Sequence, residues 1–264
     1  VMPAMDVPHI GRLEPWQMVF IALGLPGLVL ALVVLFVREP ARHGRIAGLD
    51  ANVSATLHYL AQNREVYAPL ILGYALSSMM WNGVIAWLPA HFMRQFHWTT
   101  AEVGLRYGLT FMIAGIGGGL SGGFIISWWQ RRGLTDANIR IGLLSLAGAA
   151  PAGLAAAMAD SGWLSLTATS LFLFSCAMPY GGAAAALQAI TPNQMRGQVS
   201  ALYLFFLNLL GIGFGPTLVA LFTDYVFGYD TALRYSLATT IAIAAPLSTW
   251  ILLRAREPHR LALA

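Results

Sequence analysis

The stretch NLLGIGFGPTLVALFTD, Asn208 to Asp224, opens with an amide, sets glycines at 211, 213 and 215, adds Pro216, and is otherwise apolar. Glycine and proline are the weakest helix formers in water. Inside a bilayer both have uses. Small residues let helix backbones approach closely, and a proline can kink a helix whose freed carbonyl finds another partner.

The composition points to the same solvent. Of 264 residues, 58% are hydrophobic and 10% charged, with a mean hydropathy of +0.66. A water-soluble domain carries about 25% charged residues. Cys176 stands alone, which excludes disulfides and CxxC or zinc frameworks. The pI is about 9.5, but the basic residues fall between apolar runs rather than in one patch, so nucleic acid is not an expected partner. Every basic residue is arginine; without lysine there is no Schiff-base chemistry. No GxSxG, HExxH or P-loop pattern occurs, and the histidines lack metal-ligand spacing, so no enzyme, cofactor or metal site is expected. The Val-Met-Pro start shows no basic segment or cleavage site of a signal peptide and reads as the interior of a longer protein.

Crossing about 30 Å of hydrocarbon takes about 20 apolar residues as helix. Seven stretches qualify: 16–37, 67–92, 103–128, 139–159, 163–189, 198–223 and 233–253. This predicts an all-α membrane protein with membrane lipids as partners. Residues 1–37 hold an outer loop and the first span. Residues 38–66 form a polar connection whose centre, Asn52 to Gln62, has helical spacing and is either a surface helix or a plain tether. Residues 67–253 form a six-helix bundle, and 254–264 a tail. Arg38, Arg42, Arg45, Arg64, Arg131, Arg132, Arg140, Arg196, Arg254, Arg256 and Arg260 fall on one side of the spans. The positive-inside rule then puts the C-terminus in the cytoplasm, in the inner membrane.

Gly211 and Gly215 stand in GxxxG spacing, with Pro216 beside them. In the third span Gly115, Gly118, Gly119, Gly122 and Gly123 read as a nearly bare surface. Such surfaces serve either as static packing seams or as faces that rock against each other.

These stretches resemble known motifs. GIGFGPTLVA resembles the G-x-x-x-G-P-x-x-G-G helix of major facilitator superfamily transporters, matching at Gly211, Gly215 and Pro216, with Val219 and Ala220 in place of the last glycines. PNQMRG, with Arg196, resembles the P-x-x-x-R-G turn before that helix. GGFIISWWQRRG looks like a worn copy of their G-G-x-x-x-D-R-x-x-R-R loop. Gly122, Gly123, Arg131 and Arg132 match, while Ser127 replaces the acid and Trp128 the first base. The resemblance implies helices six to twelve of a twelve-helix carrier, with the N-terminal half of the same protein as the missing partner. WLPAHFMRQF and GPTLVALFTDYVFGYDTALRYSLA look most like the bacterial spinster-like branch. That likeness implies a small organic or lipid-like substrate, of the lysolipid or sphingoid type.

Polar side chains within a bilayer tend to face the bundle interior. Tyr74, Ser77, Ser78, Trp81 and Asn82 form one helical stripe in the second span. They either line a cavity or bond within the bundle. Thr110, Phe174, Ser175, Met178, Tyr203 and Asn208 are further candidates for substrate contact. Arg106 is either a snorkelling interface residue or a cation for an anionic headgroup. No carboxylate lies deep in a span, and the histidines read as loop or interface residues, so a proton-coupling group is not expected in this chain. The resemblance implies alternating-access transport, and the weakly polar, aromatic stripe suits an amphipathic molecule. The rivals are an exporter of drugs or small organic anions and a seven-helix sensor.

Overall fold

The structure, a computed structural model, describes residues 5–7, 11–36 and 52–263. They divide into two units, the first ending at Arg45 and the second beginning at Ile46. In the first, β1 (Met5–Val7) pairs antiparallel with β2 (Gly11–Leu13), Met5 opposite Leu13. This short ribbon lies within what the sequence presented as a loop. Helix α1 (Pro15–Val34) begins on a proline, whose missing N–H costs nothing in a first turn. At 20 residues and 1.5 Å rise each it is about 30 Å long, the thickness of the hydrocarbon layer. The expected connection falls partly outside the described residues; its centre does form a helix, α2 (Val53–Gln62), with Thr56 and Leu60 buried.

The second unit continues with α3 (Arg64–Phe96), α4 (Thr100–Arg131), α5 (Ala137–Met158), α6 (Gly162–Ala177), α7 (Gly182–Ile190), α8 (Arg196–Asn208), α9 (Gly215–Leu221) and α10 (Leu233–Leu263). Among the described residues seven helical stretches are long and apolar enough to cross a membrane. The fifth span is broken rather than continuous: Met178–Gly181 separates α6 from α7. The sixth changes winding twice, with π-helix at Leu209–Phe214 and Phe222–Phe227 on either side of α9.

Helix α3 is the spine of this unit. It packs along α10 on one side and against α8, the π segment and α9 on the other, while α5 joins α6 and α10, and α4 lies on α6. Phe92, Phe172, Leu70 and Met80 are fully buried at these contacts.

The glycines of α4 do not act as one surface. Gly118 lies against the Phe174 carbonyl and Gly122 against the Met178 carbonyl, both at the broken end of α6. Gly115, Gly119 and Gly123 meet nothing within 4 Å. Gly115, Gly119 and Gly123 share the same four-residue spacing, but only Gly118 and Gly122 meet a carbonyl where any Cβ would stand.

The last helix does not stop at 253: α10 runs on to Leu263, burying Ala255 and His259. Asp136, just before α5, is 2% exposed and holds this end in place. Its carboxylate accepts from Arg140 Nε at 2.6 Å and from Arg256 at 2.8 and 3.0 Å, tying α5 to α10. Burial alone would lift the Asp136 carboxyl; the hydrogen bonds and charges of Arg140 and Arg256 outweigh it and hold the group below its ordinary value. A carboxyl lowered in the folded state contributes stability above the unfolded carboxylate range, about pH 4. That contribution fades as pH falls through the lowered folded value.

Two outcomes follow for thermal unfolding in detergent. Gly122→Ala destabilises by about 2–3 kcal/mol, as overpacking against backbone does, whereas Gly123→Ala stays within about 1 kcal/mol of wild type. Asp136→Asn costs about 3 kcal/mol, the low end for breaking a buried pair because both arginines reach solvent. Its deficit relative to wild type is constant above about pH 5 and shrinks only in acid.

Candidate functional site

The opening stretch finds its neighbour in α3. A Cβ at Gly83 would stand 2.8 Å from the Gly215 carbonyl oxygen, and one at Gly215 would stand 2.7 Å from the Met79 carbonyl. The two helices therefore touch through bare backbone. One turn earlier Gly211 lies under Ser78 Oγ and Asn82 Nδ2. The π winding ends at the proline, where the Gly215 N–H reaches back to both the Leu210 and Gly211 carbonyls. Pro216 supplies no N–H of its own, and its carbonyl accepts from Trp87 Nε1 at 3.0 Å. π segments recur at functional sites because they re-aim one turn of a helix without ending it.

The predicted stripe splits into two roles. Tyr74 is buried, its hydroxyl donating to the Asn138 carbonyl at 2.6 Å. Ser78 donates to the Leu207 carbonyl at 3.2 Å, crossing from α3 to α8. Asn82 donates to the Ser78 carbonyl and Oγ at 2.9 and 3.1 Å. Tyr74 and Ser78 hold helices together, while Asn82 bonds within α3. Ser77 and Trp81 are half-buried. Trp81 lies 6.1 Å from the Phe172 ring centre and 5.8 Å from that of Phe111, which is 39% exposed.

The remaining candidates do not gather around that stripe. Phe174, Ser175 and Met178 belong to the seams of α6: Phe174 packs on Gly117, Ser175 on Gly148, and Met178 on Gly122. Tyr203 is buried, while Asn208 is exposed and donates to the Leu204 carbonyl at 2.8 Å. Thr110 bonds back to the Arg106 carbonyl. Arg106 itself pairs with Glu102 at 2.9 Å and rests between the rings of Trp98 and Trp163, 4.7 and 4.8 Å from their centres.

Of the residues expected to govern movement, Arg196 Nε donates to the Thr191 carbonyl at 3.0 Å across the turn between α7 and α8. Tyr67 holds the same turn through Thr191 and the Ile190 carbonyl. Arg131 is exposed; Arg132 lies 3.9 Å over the ring of Trp128, the residue that replaces a base in the worn loop. The expectation that no histidine is buried fails. His91 in α3 and His259 in α10 are both enclosed, and His259 bonds the Ala186 carbonyl at 3.1 Å. A histidine near the end of an apolar run carries no local signal of burial, because the neighbours that cover it come from other spans.

A bundle of long apolar helices, one broken and one π-wound, joined at glycine crossings, has the construction of a membrane carrier. The chain belongs to the major facilitator superfamily, whose family model matches residues 7–216. No curated protein matches it. Among solved structures it is similar to an inward-facing, unoccupied bacterial homologue of the human lysosomal transporter Spinster. Identity there is 19% and the TM-score 0.58, covering 95% of this chain and 59% of that one. It is also similar to the E. coli fucose:proton symporter FucP, with 16% identity, a TM-score of 0.62, and coverage of 90% and 54%. A structure of FucP in the outward conformation gives 16% identity and a TM-score of 0.64, over 93% of this chain and 61% of that one. The chain thus spans about 54–61% of the length of these carriers, in agreement with its reading as a C-terminal portion of such a protein.

Proposed function

We propose that the chain is the C-terminal portion of a secondary transporter that works by alternating access on an amphipathic or lipid-like organic molecule. In this reading α1 is the last helix of the N-terminal half and residues 38–66 connect the halves. The arginine-rich side faces the cytoplasm, as the positive-inside rule requires. Substrate binds near the midplane, between this bundle and helices that precede it.

One observation carries the choice of substrate class: of the polar side chains expected to meet substrate, four already spend donors on bonds inside the bundle. Ser78 bonds Leu207, Asn82 bonds Ser78, Thr110 bonds Arg106, and Asn208 bonds Leu204. What remains around half-buried Ser77 and Trp81 is aromatic and weakly polar. A sugar needs many free donors and acceptors; a lysolipid chain needs few. The small-anion alternative leans on Arg106, whose charge is matched by Glu102.

The test is equilibrium binding to the complete protein, comparing a lysophosphatidylcholine with succinate. The lysolipid is expected to bind at least tenfold more tightly, and Trp81→Ala to weaken it by about tenfold. Preference for succinate overturns the assignment. Liposomes holding residues 1–264 alone are expected to show no solute flux, because an alternating path needs two opposed walls.

A further inference from the structure

On the face of the second unit where α5 and α10 meet, a groove with a volume of about 370 Å³ lies between the two helices. That is within the usual range of ligand clefts, about 300–1,000 Å³. Its origin is plain in the sequence. Small residues face each other across the seam, Ala150 on α5 and Ala245 on α10, and Pro246 interrupts the α10 ladder beside them. Larger side chains, Leu146, Trp250 and Leu253, form the walls around this gap.

Thr249 is the lone polar residue of the lining, and its hydroxyl donates to the Ala245 carbonyl at 2.8 Å. The floor therefore offers no free donor, and its occupant is hydrocarbon. The groove has direction as well. From Ala245 to Leu253 it follows α10 for about 12 Å, and charge stands at one end only. Next after Leu253 comes Arg254, exposed, with its guanidinium 3.8 Å over the ring of Trp250. Among the described residues no carboxylate pairs with Arg254. Arg140 and Arg256 nearby share the single charge of Asp136, which leaves this end net positive. An indole and an arginine at the mouth of an apolar slot suit the headgroup level of a bilayer.

We propose that this groove holds one anionic glycerophospholipid of the surrounding membrane. One acyl chain lies along Ala245–Leu253, and the phosphate sits at Arg254. The site is separate from the α3 crossing and from any transported molecule. Because it bridges α5 and α10, a bound lipid braces the same pair of helices that Asp136 ties together.

The test is native mass spectrometry of the complete protein, delipidated and then given palmitoyl-oleoyl phosphatidylglycerol or its phosphatidylcholine counterpart. One phosphatidylglycerol is expected to be retained at least fivefold more than phosphatidylcholine. Arg254→Gln, a change at an exposed side chain, brings phosphatidylglycerol down to the phosphatidylcholine level. Ala150→Phe fills the groove and removes both. Excess glycerol 3-phosphate leaves the lipid in place, as it would not at a site built for phosphate alone. Equal retention of the two lipids, indifference to Arg254→Gln, or displacement by glycerol 3-phosphate overturns the proposal. Should Ala150→Phe fail to fold, the Arg254→Gln comparison decides alone. Neither residue touches the Trp81 stripe, so failure here leaves lysolipid binding by the complete protein unaffected.

Discussion

At Gly83 and Gly215 two membrane helices meet with no side chain between them. In lipid this contact gains nothing from exclusion of water; it is held by close packing and by the polar bonds that proximity permits. Those bonds are present on both sides of it. Ser78 reaches the Leu207 carbonyl on one flank, and Trp87 reaches the Pro216 carbonyl on the other. The opposite face of α3 repeats the device with α10, where Leu252 fills the space over Gly73 and Ser248 donates to the Gly73 carbonyl at 2.7 Å. The spine is thus clasped from two directions at positions where it has no side chain of its own.

That geometry explains why the polar stripe is not a uniform wall. Once two backbones come this close, the side chains next to the glycines crowd against them. Ser78 and Asn82 are covered by Gly211, and Tyr74 is drawn into α5. Ser77, Ser78, Trp81 and Asn82 are all half-buried, and of these four Ser78 bonds across to α8. The positions on one helical stripe thus do different things: Tyr74 and Ser78 join helices, Asn82 bonds within α3, and Trp81 packs on Phe111 and Phe172.

Much of this architecture is legible in the sequence, because lipid imposes a length on each apolar run and lengths are local. The GxxxG pair at 211 and 215 was legible for the same reason, since the proline beside it marks the place. Five glycines in α4 were not separable, because nothing in the run says which azimuth meets a carbonyl; that depends on Pro179 and the break in α6, some 60 residues on. The run-on of α10 past 253 was not legible, because apolar residues give way there to arginines. Its continuation rests on Asp136, 120 residues away from Arg256. His91 and His259 escaped notice for the same cause, being covered by neighbours from distant spans.

Irregular backbone survives at membrane depth only where protein or a water-filled cavity meets its polar groups. The two irregular spans obey that rule in different ways. The break after α6 turns its Phe174 and Met178 carbonyls onto Gly118 and Gly122, so α4 covers it. The π segment before Pro216 shares the Gly215 N–H between two carbonyls and borrows Trp87 from α3. Each irregularity is thus covered by a helix that is itself regular at the point of contact. By contrast α5 runs unbroken beside α10, and the pair carries the apolar groove and the Asp136 ties. The bundle therefore has a braced side built from α5 and α10 and a side of altered winding built on α4 and α3. A rearrangement of turns at the second side meets glycine contacts that can shift by small steps. One at the first would have to break a buried ion pair.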